Sequence, residues 1–186
     1  RSGGTGINAN VTASSTPAAS TIAITTQQGT ITSGYNFFQG GGTPSGISAG
    51  YNGPLNTAVH GNVVLDNSAT VKAVSGAGIS LNNNGVGSIT ATLQAASSVT
   101  AAQSGVNAFS AGGGNITIDN RGTINAGTIG INGGNGASNP SSANGLISVI
   151  NSGTVNAPGL PYIPVVNIGN SNSSQTATLS NSSGGT

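Results

Sequence analysis

Apolar residues recur along the chain in pairs separated by one residue, with a third apolar position a few residues later. The stretch 116–126, ITIDNRGTINA, has apolar residues at its first, third and ninth positions, and so does 147–157, ISVINSGTVNA. The stretches 63–73 and 91–101 fit the same frame, and 22–32 fits it with a turn that is one residue longer. Alternation with a period of two predicts short, half-buried β-strands.

A third short element follows these pairs of strands. It reads glycine, then Ile or Val, then Asn or Ser, as in GIS at 78–80, GVN at 105–107 and GIN at 130–132. The unit is therefore three short strands joined by turns that are rich in Asn and Gly, and closed by a loop of variable length. We expect these turn residues to adopt positive φ, which Gly and Asn do at little steric cost.

The repeat length predicts the architecture. The apolar residue of the second strand recurs at Ile31, Val71, Val99, Ile124 and Val155, which gives spacings of 40, 28, 25 and 31 residues. One such unit cannot bury an apolar face alone, but stacked units pair their strands in parallel about 4.8 Å apart around a continuous core. Because parallel connections are almost always right-handed, we expect an all-β, right-handed parallel β-helix. Its rungs have three short strands in about 25 to 31 residues, and about six rungs form a single segment over 1–186.

One turn position carries asparagine in three units, at Asn67, Asn120 and Asn151. We expect these amides to stack as a ladder, in which each hydrogen bond contributes roughly 0.5 to 1.5 kcal/mol. Burying each core Ile or Val contributes about 1.5 to 3 kcal/mol. The aliphatic core therefore dominates stability, and the ladder fixes the register.

Composition removes several classes of function. Aromatic residues make up 3% of the chain and charged residues 3%, with a net charge of +1. There is no basic surface for nucleic acid or an anionic membrane, and no apolar run has the length of a membrane span. The chain has no cysteine, so disulfides and thiolate metal sites are excluded.

Few residues carry chemistry. Asp66 and Asp119 are the only acids, and two rungs of stacking would place them roughly 9 to 10 Å apart, near the separation used by inverting glycosidases. Each precedes an asparagine in a turn, where a carboxylate commonly accepts hydrogen bonds from backbone N–H groups. His60 is the only histidine, and it has no neighbouring metal ligand. We expect no catalytic residue, no metal site and no cofactor, and a carbohydrate-active enzyme is an alternative to this expectation.

A file of hydroxyl side chains suggests an ice-binding face as a further alternative. Its members are Thr30, Thr70, Ser98, Thr123 and Thr154. The outward residues two positions later are irregular: Thr32, Lys72, Thr100, Asn125 and Asn156.

Two stretches, 33–57 and 158–164, depart from the minimal unit and are predicted as loop insertions. They hold five of the six aromatic residues: Tyr35, Phe37, Phe38, Tyr51 and Tyr162. Loops that project from a solenoid often carry function, so these side chains are candidate contacts for a glycan or a host surface protein. The alternative is that the aromatic rings fold back and cover the side of the core.

The repeated motif resembles the right-handed β-helix passenger regions of Gram-negative autotransporters and related large secreted adhesins. The stretches that carry the resemblance are ITIDNRGTINAGTIGING, ISVINSGTVNA and VVLDNSATVKAVSGAGIS, and the pattern covers nearly the whole chain. It implies an extracellular or cell-surface protein of a Gram-negative bacterium, secreted or anchored to the outer membrane. Its implied role is adhesion, biofilm formation or a structural stalk.

Both ends of the chain cut through the repeat. The chain starts on a third strand, GIN at 6–8, and stops where a T-[IV] strand would begin. An open rung exposes unpaired backbone groups that pair with further strands. We therefore expect a non-enzymatic structural and adhesive module that stacks end to end or continues in a longer chain.

Overall fold

A computed structural model describes residues 4–17, 20–34, 43–136, 145–158, 164–170 and 176–182. In these ranges the chain forms 17 β-strands in three sheets and no helix. The first sheet contains, in spatial order, β1 (Ile7–Val11), β4 (Ile47–Tyr51), β7 (Ile79–Asn83), β10 (Val106–Ser110), β13 (Ile131–Asn135) and β16 (Val166–Asn170). The second sheet contains β2 (Thr21–Thr26), β5 (Asn62–Asn67), β8 (Ile89–Leu93), β11 (Ile116–Asn120), β14 (Ile147–Asn151) and β17 (Ala177–Asn181). The third sheet contains β3 (Thr30–Ser33), β6 (Thr70–Ala73), β9 (Ser98–Ala101), β12 (Thr123–Ala126) and β15 (Thr154–Asn156).

Each strand pairs in parallel with the equivalent strand of the next rung. The chain visits the second, third and first sheets in turn and then begins the next rung one strand spacing further along. This confirms the predicted right-handed parallel β-helix with three short strands per rung.

The predicted register of the third sheet is also confirmed. Its apolar positions pair in one unbroken column: Ile31, Val71, Val99, Ile124 and Val155. The three central members of this column are fully buried, because a rung on each side covers them. Columns of Ile, Val, Leu and Ala from the other two sheets complete an aliphatic core.

A glycine precedes five of the six first-sheet strands, and close approach of the next rung requires it there. A Cβ on Gly78 would lie 2.3 Å from Cγ1 of Val99 and 2.7 Å from the carbonyl oxygen of Gly105. We expected positive φ to explain the turn glycines, but this is wrong for most of them. Among the described glycines, only Gly29 and Gly113 have positive φ, at 149° and 91°.

The predicted asparagine ladder forms in part. Asn120 donates to Oδ1 of Asn151, and Asn151 donates to Oδ1 of Asn181, each at 2.8 Å. The inclusion of Asn67 was wrong, because Leu93 occupies the equivalent position in the rung between Asn67 and Asn120. Asn67 instead accepts a 2.6 Å hydrogen bond from the Thr26 hydroxyl. The ladder therefore joins the last three rungs only.

The predicted insertion 33–57 is not a single loop. It contains β4, which pairs with β1 and β7 as a regular rung strand. The additional residues of this rung flank β4 on both sides, over 34–46 and 52–61, and the second segment contributes the buried Val59. In the predicted insertion 158–164, residues 159–163 lie outside the described ranges, while Pro158 and Pro164 are exposed.

We predict that Ile124→Ala lowers the free energy of unfolding by about 2 to 5 kcal/mol, because it leaves a cavity at a fully buried position. Chemical denaturation followed by circular dichroism measures the change. Thr100→Ala is the matched control, since Thr100 is exposed and points outward from the neighbouring strand β9. Equal losses in the two variants would contradict the inward orientation of the Ile124 column.

We predict that Asn120→Ala costs roughly 1 to 3 kcal/mol, because it removes the donor to Asn151 inside the core. Asn125→Ala removes an amide acceptor from an exposed pair with Asn156, and its cost should stay within about 0.5 kcal/mol. Denaturation of both variants under one set of conditions gives the comparison. A cost for Asn120→Ala as small as that of Asn125→Ala would mean that the buried ladder does not stabilise the stack.

Candidate functional surfaces

The two carboxylates lie on the outer face of the second sheet. Asp66 pairs in register with Thr92, and Thr92 with Asp119, so one rung separates the two acids. Asp66 accepts a 2.7 Å hydrogen bond from Nε2 of Gln94. The expected backbone-capping role is therefore replaced by a side-chain contact to the next rung.

Asp119 forms an ion pair with Arg121 on the same side of the chain. The guanidinium donates to Oδ2 from Nε at 3.0 Å and from Nη2 at 2.5 Å. The hydrogen bond and the charge of Asp119 raise the pKa of Arg121 above its ordinary value. Since the Arg121 side chain is 51% exposed, solvent screens the pair, and its contribution to stability is small.

His60 lies beside an open groove of about 400 Å³ at the corner between the first and second sheets. Glycine backbone and the polar residues Asn62, Ser88 and Asn115 form much of its wall. Asn62 Oδ1 already accepts from the Ser88 N–H and hydroxyl, at 2.8 and 2.9 Å. Within the described ranges, no three His, Cys, Asp or Glu residues come together as a metal site.

The hydroxyl file runs along the outer face of the third sheet. Register pairing joins all five of its members: Thr30, Thr70, Ser98, Thr123 and Thr154. The adjacent column is mixed: it contains the charged Lys72, and Asn156 donates to Asn125 at 2.9 Å. This face therefore presents one regular row of hydroxyls rather than a two-dimensional hydroxyl array.

Tyr51 was predicted as a ligand contact in a loop, and this is wrong. It is the last residue of β4, is only 4% exposed, and belongs to the hydrophobic core. Its ring fills the space above Gly61, where a Cβ would lie 2.3 Å from Cζ of the tyrosine. The other four predicted contacts, Tyr35, Phe37, Phe38 and Tyr162, lie outside the described residues.

Sequence reasoning missed Phe109 as an exposed aromatic side chain. Phe109 points outward from β10 and is 39% exposed. The signal was available, because counting by twos from the buried Val106 places Ala108 inside and Phe109 outside. The predicted strand G-V-N at 105–107 places Val106 inside the core, which is the starting point for this count.

The final described rung exposes positions that are buried elsewhere in the stack. Leu179 of β17 pairs in register with Val149, which is fully buried, yet Leu179 itself is 53% exposed. A cavity of about 180 Å³ opens beside it, lined by Val155, Val166 and Leu179 among others. This end of the described stack therefore presents an apolar surface with the cross-section of the core.

In the described part of the chain, no helix has the length and apolarity to cross a membrane. No protein-family model matches the chain, and neither the curated proteins nor the solved structures contain a match. The surfaces must therefore be interpreted from their own chemistry.

Burial makes Tyr51 a source of alkaline sensitivity. It raises the pKa of the Tyr51 phenol above the ordinary value of 10.0. At pH values between the unfolded and the folded pKa, the folded chain keeps the phenol proton and the unfolded chain releases it. The contribution of Tyr51 to stability is therefore full below about pH 10 and is lost as the pH rises through the folded pKa. We predict that Tyr51→Phe reduces this alkaline loss, measured by urea denaturation at a series of pH values. An identical alkaline slope in both proteins would contradict the prediction.

Proposed function

We propose that the chain is a non-enzymatic structural and adhesive β-solenoid module, in which rungs stack end to end with a second copy or with further rungs of a longer chain. The observation that carries this proposal is the exposure of Leu179 at the end of a core column. A rung placed on β17 would bury it as Val149 is buried one rung earlier. The apolar area removed from water stabilises such stacking at about 25 cal/mol per Å².

The backbone supports the same proposal. β17 is the edge strand of the second sheet among the described residues, so one side of its residues 177–180 offers N–H and C=O groups to a parallel partner. Its sequence, ATLSN, retains the inward and outward alternation of the inner strands. A further strand would therefore find both backbone partners and a matching apolar column.

The outer faces suit a rod rather than an enzyme. Asp66 and Asp119 each have a side-chain partner, which favours a structural role for both. Most other outward positions are Ser, Thr or Asn, which are short and uncharged. We propose an extracellular or cell-surface location in a Gram-negative bacterium on the strength of the resemblance to autotransporter passengers. Adhesion to a glycan or host protein through Tyr35, Phe37, Phe38 and Tyr162 remains a prediction.

Electron microscopy of the purified chain over a dilution series tests end-to-end stacking. Six rungs measure only about 30 Å along the axis, so filaments many times longer require contacts between copies. We expect filaments that persist on dilution. Isolated short rods at every concentration would contradict stacking between copies and would leave continuation within a longer chain as the remaining form of the proposal.

A matched pair of variants tests the role of the exposed core column. We predict that Leu179→Asp shortens or abolishes the filaments, because stacking would bury an unpaired charge. Ser180→Asp adds the same charge to the outward side of β17 and should leave the filaments intact. Equal effects of the two substitutions would mean that the apolar end does not drive assembly.

A further inference from the structure

Phe109 lies on the outer face of the first sheet and is not part of the hydrophobic core. Its chain neighbours Ala108 and Ser110 are fully buried, whereas the phenyl ring is 39% exposed. Among the described residues it is the one exposed aromatic side chain. Phe109 is therefore the aromatic group that the described surface offers to a ligand.

Two glycines of the next rung provide the surface on which the ring lies. A Cβ on Gly134 would lie 3.0 Å from Cδ2 of Phe109, and one on Gly136 would lie 2.7 Å from Cζ. Gly134 pairs directly with Phe109 between β10 and β13. Because neither position has a side chain, the ring packs against the backbone of this rung. Asn82 of β7 is the register partner of Phe109 in the preceding rung, and 39% of Phe109 remains exposed.

A row of amides runs beside the ring on the same face. Asn132 donates to Oδ1 of Asn107, and Asn167 donates to Oδ1 of Asn132, each at 2.7 Å. A primary amide has two N–H donors. The hydrogen bonds within this row use only one of the two donors on Asn132 and on Asn167. The remaining donors are available to an external ligand at successive rungs, about 4.8 Å apart.

We propose that this face, made of Phe109 and the amides of Asn107, Asn132 and Asn167, binds a neutral polysaccharide. The apolar C–H face of a pyranose would pack on the ring, and its hydroxyl groups would accept from the amide row. The strands of the first sheet contain no charged residue, which matches an uncharged ligand and disfavours an acidic polymer. The rung spacing is close to the length of one pyranose unit, so successive sugars would meet successive amides.

This inference deepens the adhesive part of the proposed function, because it names a ligand class and a site. The site differs from the predicted aromatic loops, since every residue of it lies on a strand. Rigid strands hold the ring and the amides in place before binding, which lowers the entropy cost of binding.

Affinity electrophoresis tests the proposal with gels that contain hydroxyethyl cellulose, dextran or galactomannan, and with polygalacturonate as the acidic comparison. We expect at least one neutral polymer to retard the wild-type chain, with weaker or no retardation in polygalacturonate. Phe109→Ala should weaken binding about tenfold or more. Phe109→Leu retains apolar coverage of Gly134 but lacks the flat ring, and it should also bind weakly. Asn132→Ala should give an intermediate loss.

Ile150→Ala is the matched control, because Ile150 is 40% exposed on the outer face of a different sheet. It should bind as the wild type does. Lack of retardation in every neutral gel, retardation only in polygalacturonate, or equal binding by the wild type and both Phe109 variants would overturn the proposal. Melting curves verify that each variant is folded. Filament formation by Phe109→Ala is measured separately, so failure of sugar binding leaves the stacking proposal untouched, and failure of stacking leaves this site untouched.

Discussion

In-register parallel pairing between successive rungs is the constraint on which the rest of this molecule depends. It places each side chain directly above its equivalent, so every column must consist of residues that tolerate a similar neighbour about 4.8 Å away. Aliphatic groups, hydroxyls and amides meet this condition, whereas like charges do not. The low content of charged residues is consistent with this geometry. Where acids do occur in one column, at Asp66 and Asp119, Thr92 separates them.

The aliphatic columns could be predicted from the sequence because their spacing is a direct record of the stacking. Ile124 and its partners repeat in the same strand of every unit, so aligning the units gives the register. The contacts that could not be predicted involve residues that differ in type from their register partners. Tyr51 is buried because Gly61, immediately before β5, leaves room for the ring. The register partners of Tyr51 are Val11 and Asn83, so the neighbouring units have no aromatic residue there that would reveal the contact.

The surfaces were harder to predict than the core for the same reason. The contact of Asp66 with Gln94 spans 28 residues, and it becomes visible only when two particular rungs are placed together. Phe109 shows a different limit. Its outward orientation follows from simple alternation, but the backbone surface on which its ring packs depends on Gly134 and Gly136 in the following rung. Sequence alternation therefore identifies which side chains face solvent, and the structure identifies which of them are held in place.

The direction of the hydrogen bonds between rungs has a mechanical consequence. These bonds run along the axis of the stack, so tension applied between the two ends loads them in series. A terminal rung has neighbours on one side only and separates before the inner rungs do. The rung between Val99 and Ile124 contains 25 residues, and its release adds roughly 80 to 90 Å of extended chain. A tethered rod of this kind lengthens in steps under load, while the rungs that remain keep their fold.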